Sequence, residues 1–235
     1  MKMGIIAAGR GDRLALGGIP TPKPLVSVGG RPLISRIIEA GAGLKVHSVA
    51  CIVNDLNPAV AKFLRSVEWP IPVEIVVKTT PSSMESLFSL APLLSDGPFV
   101  LFTVDVIFGQ QTVEDFLQNA RTLTGAKGIL ALTRFVDDEK PLWATIDRSN
   151  RIIAMGDAAR GSQFLTAGFY YFAPDIFAEI ASARRKNLSA LRQFLGHLID
   201  EGYPIYGVPV PKTIDVDYPE DIVKAEAYLK EINEV

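Results

Sequence analysis

Short apolar segments alternate with amphipathic segments along almost the whole chain. Apolar runs such as residues 3–7 and 48–53 are separated by stretches in which apolar residues recur at helical spacing. This alternation is typical of parallel strands whose connecting helices pack on both faces of a sheet. It predicts an α/β fold with a mostly parallel central sheet flanked by helices.

The spacing of the predicted elements changes near residue 125. Before it, strands are predicted at 3–7, 48–53, 73–77 and 99–104, and helices at 32–43, 58–67 and 83–94. After it, strands are predicted at 129–133, 143–146, 152–155, 166–172 and 205–208, and helices at 174–184, 188–202 and 219–232. Closely spaced strands, with a hairpin turn at Ser149-Asn150, predict a small antiparallel flank. We expect a single domain, 1–235, whose two parts, 1–125 and 126–235, differ in the character of the sheet.

Composition and charge narrow the classes of protein. Hydrophobic residues make up 48% of the 235, which is enough for one sizeable core. The 24 Lys and Arg stand against 26 Asp and Glu, so the net charge is −2 and nucleic acid is not expected as a partner. Neither a signal peptide nor a run of about 18 apolar residues is recognisable. We therefore expect a cytoplasmic protein without a membrane span.

Three residues of types that often carry chemistry are predicted to be structural. Cys51 lies within the apolar run 49–53, where a single thiol indicates a core position and neither a disulfide nor a metal cluster. His47 and His197 are far apart in the sequence and belong to no His-rich spacing.

The strongest functional signal is a loop rich in glycine and cations after the first predicted strand. Glycines at a strand end let backbone N–H groups approach phosphate oxygens, and two cations would offset the charge of a triphosphate. Position 14 is Leu, which excludes a dinucleotide fingerprint, and the Gly-Lys-Ser/Thr ending of a P-loop is absent. The candidate nucleotide contacts in this loop are Ala8, Gly9, Gly11, Arg13 and Lys23.

Together with Pro22-Lys23-Pro24-Leu25, this loop resembles the Gly-x-Gly-x-Arg and Pro-Lys-Pro-Leu signature of the sugar-1-phosphate nucleotidylyltransferases, or nucleotide-sugar pyrophosphorylases, of the nucleotidyltransferase superfamily. The resemblance covers nearly the whole chain, including residues 28–34 at the start of the first long helix. It implies a Rossmann-like (GT-A-like) nucleotidyltransferase fold, dependence on Mg²⁺, and catalytic roles for Arg13 and Lys23 as cations that bind the NTP phosphates. It also implies that 1–125 is the NTP-binding part and that 126–235 is the acceptor-binding part and carries the second metal ligand.

Asp105 follows the otherwise apolar strand 99–104. The carboxyl end of a parallel strand points into the crevice where open α/β sheets bind ligands. The resembled family has a Mg²⁺-binding Asp at this place, usually preceded by Gly, whereas Val104 precedes it here. The resemblance therefore makes Asp105 a candidate metal ligand.

Residues 213–221 resemble the family segment D-v-D-t-p-e-D. Alternation along a strand places Asp215 and Asp217 on one face, so either could accompany Asp105 as a ligand of Mg²⁺. Glu220 and Asp221 fall in the first turn of the last predicted helix, where negative side chains oppose the helix dipole. We predict that these two residues are structural.

Ser82 and Ser83 lie in a polar segment between a predicted strand and helix. Residues 82–87 are closer to the Asn-Asn-x-x-Ser-Leu of relatives that act on phosphocholine or aminoethylphosphonate than to the Gly-Thr-Ala-x-Ala-Leu of the sugar enzymes. In both groups this element helps to hold the base, which makes both serines candidate nucleotide contacts. Simple capping of the following helix stays open as an interpretation.

The acceptor part departs from the resembled family. Residues 166–170 resemble its N-A-G-i-y strand, which makes Gly168 a candidate acceptor contact. The Glu-Lys-Pro lysine that reaches the sugar phosphate is missing from 155–161, and Arg160 is the candidate substitute for its charge. The letters Glu139-Lys140-Pro141 occur too early in the chain, so we interpret them as coincidence.

These features predict Mg²⁺-dependent transfer of NMP from an NTP to a phosphorylated small molecule, with release of pyrophosphate. A sugar 1-phosphate is the favoured acceptor, which would place the protein in nucleotide-sugar biosynthesis. The alternative is a cytidylyltransferase acting on an alcohol phosphate such as phosphocholine. Less favoured are a catalytically silent regulatory subunit, a glycosyltransferase, which usually carries Asp-x-Asp, and a molybdenum-cofactor guanylyltransferase, whose lysine usually lacks flanking prolines. The sequence leaves the NTP, the acceptor and the oligomeric state open.

Overall fold

The structure, a computed structural model, describes residues 1–135 and 141–234. Its strands are β1 (Lys2–Ala7), β2 (Ser27–Val28), β3 (Arg31–Pro32), β4 (Ser48–Val53), β5 (Val73–Val77), β6 (Phe99–Thr103), β7 (Val106–Ile107), β8 (Gly128–Thr133), β9 (Trp143–Ile146), β10 (Ile152–Met155), β11 (Phe164–Phe172), β12 (Ile205–Pro209) and β13 (Ile214–Asp215). Its α-helices are α1 (Asp12–Leu16), α2 (Leu33–Gly43), α3 (Pro58–Ser66), α4 (Ser83–Leu94), α5 (Gln110–Thr122), α6 (Ile180–Arg185), α7 (Leu191–Asp200) and α8 (Pro219–Glu231).

Within the described ranges, nine strands form one sheet. Its parallel centre has the order β5-β4-β1-β6, and β11 runs antiparallel beside β6. β8 pairs antiparallel with β11, and β12 pairs parallel with β8. The β9–β10 hairpin extends from the start of β11, with Asn150 in the left-handed region at its turn. The predicted mostly parallel sheet with a small antiparallel flank is confirmed.

Most predicted elements are present within a few residues of their predicted ends, and the elements that were not predicted include the short helix α1 in the loop after β1. Helix α5 has no counterpart in the sequence-based prediction, although Val113, Phe116, Leu117 and Ala120 follow the spacing of a buried helix face. The helix predicted over 174–184 begins instead as a 3₁₀ turn, Pro174–Glu179, and continues as α6.

Apolar layers cover both faces of the sheet. Successive residues of a strand point to opposite faces, so Ile5 and Phe102 pack with α2, α3 and α5, whereas Ile6 and Leu101 pack with α4 and α7. This double burial explains why the central strands are apolar almost throughout. Cys51 is fully buried in the first layer, as predicted. Of the helices in the described ranges, none is both long and apolar enough to cross a bilayer.

The parallel strands β1, β4 and β6 have their carboxyl ends at one edge of the sheet. A two-stranded antiparallel pair, β7 with β13, brings the C-terminal part of the chain to the same edge. Asp215 pairs with Val106, and the Val216 N–H donates a hydrogen bond of 3.0 Å to the Asp105 carbonyl. Residues far apart in the sequence therefore meet directly after β6.

Candidate functional site

A cleft of about 480 Å³ opens at this carboxyl edge. Its walls come from the loop after β1, the segment 80–86 and the residues that follow β6. Most of the predicted site residues line it, namely Ala8, Gly9, Gly11, Arg13, Lys23, Ser82, Ser83, Asp105 and Asp217.

Lys23 lies between two carboxylates in this cleft. Its Nζ donates to Asp105 Oδ2 at 2.7 Å and to Asp217 Oδ1 at 2.6 Å, and its side chain is 9% exposed. Burial by itself lowers the pKa of Lys23, but the two carboxylates outweigh it and raise that pKa. Burial likewise raises the pKa of Asp105, but the charge and hydrogen bond of Lys23 hold it below its usual value. Lys23 and Asp105 are therefore both charged at neutral pH.

Gly11 packs directly against Lys23 and explains how the two sequence motifs combine. Its φ is +72°, and a Cβ at this position would lie 2.9 Å from the Lys23 Cβ. Both the backbone conformation and the space therefore require glycine. Pro22 and Pro24 flank the lysine in the 3₁₀ turn Lys23–Leu25 and restrict its backbone. The glycine loop and the Pro-Lys-Pro segment thus form one packed unit.

Besides Lys23, two neighbours hold Asp217, namely Arg13 and Asp221. Arg13 Nη1 donates to its Oδ2 at 2.7 Å, and the Arg13 guanidinium lies 5.5 Å from the centre of the Tyr218 ring. Asp221 is buried, and its Oδ2 accepts hydrogen bonds from the backbone N–H of Asp217 (3.1 Å) and of Tyr218 (2.9 Å). Asp221 therefore supports the start of α8, as predicted, and also fixes the backbone that carries Asp217.

Asn54 is a loop-positioning residue that the sequence analysis does not include. Its Nδ2 donates to the carbonyl oxygens of Ala8 (3.3 Å) and Gly9 (3.1 Å). It directly follows β4, the parallel neighbour of β1. A polar residue immediately after a buried strand is the signal that could have identified it. Two further residues outside the predicted set, Thr80 and Ser86, also line the cleft, and their hydroxyl oxygens lie 2.6 Å apart.

The two predicted serines have structural hydrogen bonds as well as positions in the cleft. Ser82 Oγ accepts from the Glu85 N–H at 3.2 Å and thereby caps α4. Ser83 Oγ accepts from the Leu191 N–H, at the first residue of α7, also at 3.2 Å. A hydroxyl that accepts one hydrogen bond keeps its own proton for donation, so capping and nucleotide contact are compatible.

Gly168 and Asp215 are not among the residues that line the cleft. Gly168 lies at an irregularity in the pairing of β11 with β8 and has a φ of +79°. The Thr103 hydroxyl donates to its carbonyl at 3.2 Å, which places Gly168 beside the end of β6. Asp215 lies on β13, where it pairs with Val106.

Arg160 lines a second cavity, of about 610 Å³, together with Trp143, Arg192 and Gln193. Its side chain is 76% exposed and bonds the Asp157 carboxylate at 2.6 Å. The structure therefore separates Arg160 from the cleft that contains Lys23. The letters Glu139-Lys140 lie outside the described residues.

The donor set of the cleft is suited to a hard divalent cation. Asp105 and Asp217 each bond the same ammonium, so their oxygens lie no farther apart than the sum of those two distances. Mg²⁺ typically takes one or two carboxylates and completes its shell with phosphate and water oxygens. Among residues 1–135 and 141–234, no group of three or more His, Cys, Asp or Glu could hold a metal. The residues thus fit a cation shared with a phosphate ligand and not a closed protein cage.

Comparison with known proteins places the chain among nucleotidyltransferases. A CMP-5'-(3-aminopropyl)phosphonate synthase from Streptomyces rubellomurinus is 32% identical over 112 residues, which are 47% of this chain and 18% of that protein. A mannose-1-phosphate guanyltransferase from Emericella nidulans is 26% identical over 193 residues, which are 77% of this chain and 51% of that protein. The chain thus spans about half, or less, of the length of these relatives.

The expected fold is confirmed by a solved structure. The inositol-1-phosphate CTP transferase from T. maritima superposes with a TM-score of 0.83 at 17% identity, over 98% of this chain and 96% of that one. Residues 3–198 match the family described as MobA-like NTP transferase domain. Because this match covers most of the sequence, the chain belongs to the family of MobA-like NTP transferase domains.

Proposed function

We propose that the chain transfers NMP from an NTP to a phosphorylated small molecule and releases pyrophosphate. The observation that carries this proposal is the position of Lys23 between Asp105 and Asp217, beside the glycine loop. This arrangement combines what two anionic substrates require, namely backbone donors, a fixed cation and metal-binding oxygens.

The NTP phosphates would lie against Gly9, Gly11, Arg13 and Lys23. An ammonium has three donors, and the two carboxylates engage two of those of Lys23. A phosphate oxygen would take the third. Arg13 has several N–H groups besides the one bonded to Asp217, and these would hold the leaving pyrophosphate.

Asp105 and Asp217 would hold Mg²⁺, with Asp215 as the alternative second ligand. The bound ion would supply charge neutralisation at the triphosphate. The contribution of the chain is to hold Asp105 ionised, since Lys23 lowers its pKa, and to fix the backbone of Asp217 through Asp221.

In the transfer step, an acceptor phosphate oxygen forms a bond to the α-phosphorus of the NTP. The bond between that phosphorus and the oxygen bridging to the β-phosphorus breaks, and pyrophosphate leaves with the electron pair. The acceptor needs no general base, because a phosphate monoester is largely dianionic above its second pKa of about 6. The main tasks of the protein are to align two anions and to offset their repulsion.

A sugar 1-phosphate is the proposed acceptor. The longer of the two sequence matches is to a protein named for mannose 1-phosphate, and Gly168 belongs to a strand that resembles the sugar enzymes. The second candidate is a cytidylyltransferase acting on an alcohol phosphate or a phosphonate. The Ser82-Ser83 segment and the match to a CMP-phosphonate synthase favour it.

The test is a matrix of nucleotides and acceptors. ATP, CTP, GTP, UTP and dTTP are each combined, with Mg²⁺, with mannose 1-phosphate, glucose 1-phosphate, phosphocholine and 3-aminopropylphosphonate. Pyrophosphate and the mass of the product are measured, and Lys23→Ala is the negative control. We expect acceptor-dependent pyrophosphate release for one preferred nucleotide. Nucleotide binding without turnover in any pair would favour the regulatory-subunit alternative.

A further inference from the structure

Helix α7 receives its N-terminal cap from a different helix. The residue before its first turn is Ala190, which has extended backbone and no polar side chain. The Leu191 N–H instead donates to the Ser83 hydroxyl at the start of α4. The contact spans 108 positions of sequence and joins the two halves of the chain.

A second contact from the same turn of α4 reaches α6. The Glu85 carboxylate accepts two hydrogen bonds from Arg184, from Nε at 2.9 Å and from Nη2 at 2.7 Å. The Arg184 guanidinium also lies 5.7 Å from the centre of the Phe88 ring, and Phe88 packs edge-on against Phe194 of α7 at 4.9 Å. A bidentate pair fixes orientation as well as distance, so α4 holds α6 and α7 in a defined position.

These contacts connect the walls of the two cavities. Ser82 and Ser83, at the start of α4, line the cleft that contains Lys23. Arg192 and Gln193, in the first turn of α7, line the second cavity. The bond from Ser83 to Leu191 therefore joins one wall directly to the other.

We propose that Ser83, Glu85 and Arg184 are positioning residues that set the second cavity against the nucleotide cleft, so that a nucleotide bound at α4 orders the first turn of α7. The inference rests on the proposed function, because it takes the cleft as the nucleotide site. When the Ser83 hydroxyl donates a hydrogen bond to a nucleotide atom, its oxygen becomes a better acceptor for the Leu191 N–H. In-line attack depends on how the two bound substrates are placed relative to each other. Contacts that fix the second cavity against the cleft would therefore help the reaction.

The ion pair offers a way to loosen the junction without unfolding the protein. Arg184 is 56% exposed, and pairs with an exposed partner contribute little to folding stability. Glu85→Gln keeps the length of the side chain and removes its charge, and Arg184→Gln removes the guanidinium and shortens the side chain. The matched control is Asp175→Asn, which removes the ion pair of 2.6 Å with Lys127 in the same half of the chain and leaves α4 untouched.

Hydrogen exchange measured by mass spectrometry on peptides covering 189–195 tests the proposal. Each of the five NTPs is added with Mg²⁺, and its affinity is measured in parallel by calorimetry. In the unmodified protein and in Asp175→Asn, we expect the bound nucleotide to slow exchange in this segment at least about five-fold. Glu85→Gln and Arg184→Gln should bind nucleotide equally well and lose that protection. Ser83→Ala should lose it too, whereas Ser83→Thr, which keeps the hydroxyl, should retain it.

A kinetic measurement separates positioning from a merely structural role. With GTP and mannose 1-phosphate, or with CTP and 3-aminopropylphosphonate, Glu85→Gln should raise the KM for the acceptor or lower kcat about ten-fold and leave the KM for the nucleotide unchanged. The double variant Glu85→Gln/Arg184→Gln should be no worse than either single variant, because both remove one interaction.

The two proposals fail in different ways. If a nucleotide binds the unmodified protein without slowing exchange in 189–195, or if Glu85→Gln shows the same protection as the unmodified protein, the positioning proposal is overturned and the proposed function stands. If none of the five nucleotides binds, the proposed function is overturned and the positioning proposal falls with it.

Discussion

The two halves of the chain place their predicted site residues differently. In the first half, the glycine loop, Lys23 and Asp105 converge on one cleft. Of the predicted site residues in the second half, all of which the structure describes, only Asp217 lines that cleft, while Arg160 lines a separate cavity.

Strand direction accounts for the difference. β1, β4 and β6 are parallel neighbours, so residues that follow them must share one edge of the sheet. β9, β10 and β11 are antiparallel, and a residue beside such a strand can lie at either edge. Asp217 reaches the cleft because β13 pairs with β7. Where the sheet is parallel, the sequence therefore predicts that motif residues lie at one edge. Where the sheet is antiparallel, only the structure shows which edge they occupy.

The largest expected effect is on the rate at which a reagent labels Cys51, and it tests whether the first half of the chain stays closed to solvent. Cys51 on β4 is fully buried, and burial raises the pKa of its thiol to about 12. An ordinary thiol has a pKa of about 8.5 and reacts as the thiolate, so at pH 8 an aromatic disulfide reagent should label the folded protein about a thousand-fold more slowly than the urea-unfolded chain. The same shift makes the free energy of unfolding fall as pH rises above the ordinary thiol pKa. Rapid labelling of the folded chain, measured by absorbance, would show that this half opens.

Lys23→Ala tests whether the convergence in the first half has a catalytic use. Removing an oriented charge from a partly dry site should lower kcat about a hundred-fold or more at saturating NTP, with the fold retained by circular dichroism. Lys78→Ala, an exposed lysine of the same half, is the matched control and should leave kcat unchanged. Near-normal turnover in Lys23→Ala would remove Lys23 from the mechanism.

Much of the fold follows from the sequence for the same physical reason. The buried parallel strands are continuous apolar runs, and Asp105 interrupts such a run where it leaves the sheet. The contact of Gly11 with Lys23 could not be predicted, because it depends on the path of the chain between 12 and 22. The role of Asn54 could have been predicted, since it follows a buried strand as Asp105 does.

The choice between Asp215 and Asp217 shows where sequence reasoning ends. Alternation gives both the same face, so it cannot select one. In the structure, Asp221 bonds the backbone N–H of Asp217 and fixes the chain there, which places the Asp217 carboxylate against Lys23. The position of Asp217 thus depends on a residue at the start of α8, four residues later, and the alternation along a strand does not predict it.

Asp217→Asn tests the residue by which the second half of the chain reaches the cleft. If Asp217 holds the metal, this variant should need about ten-fold more Mg²⁺ for half-maximal rate, and Asp215→Asn should need little more than the unmodified protein. Asp221→Asn should mainly lower the midpoint of thermal unfolding, because it weakens the start of α8. Magnesium titrations of all three variants decide the order. If Asp215→Asn is the damaging change and Asp217→Asn is silent, the second ligand is the earlier aspartate.

Arg160→Ala has the smallest expected effect and sharpens the comparison most directly. The Arg160 side chain is 76% exposed and already paired with Asp157, so its loss should leave the thermal midpoint unchanged. If it substitutes for the missing lysine, the KM for the acceptor should rise by about five-fold at most, because an exposed cation is screened, and the KM for the nucleotide should stay constant. Arg148→Ala, an exposed arginine of the same half, is the control. An unchanged KM and kcat in Arg160→Ala would show that Arg160, in the second cavity, does not bind the acceptor phosphate. Arg160 would then not replace the missing lysine of the sugar enzymes. The sugar 1-phosphate would be the weaker candidate, and the alcohol phosphate would be the stronger one.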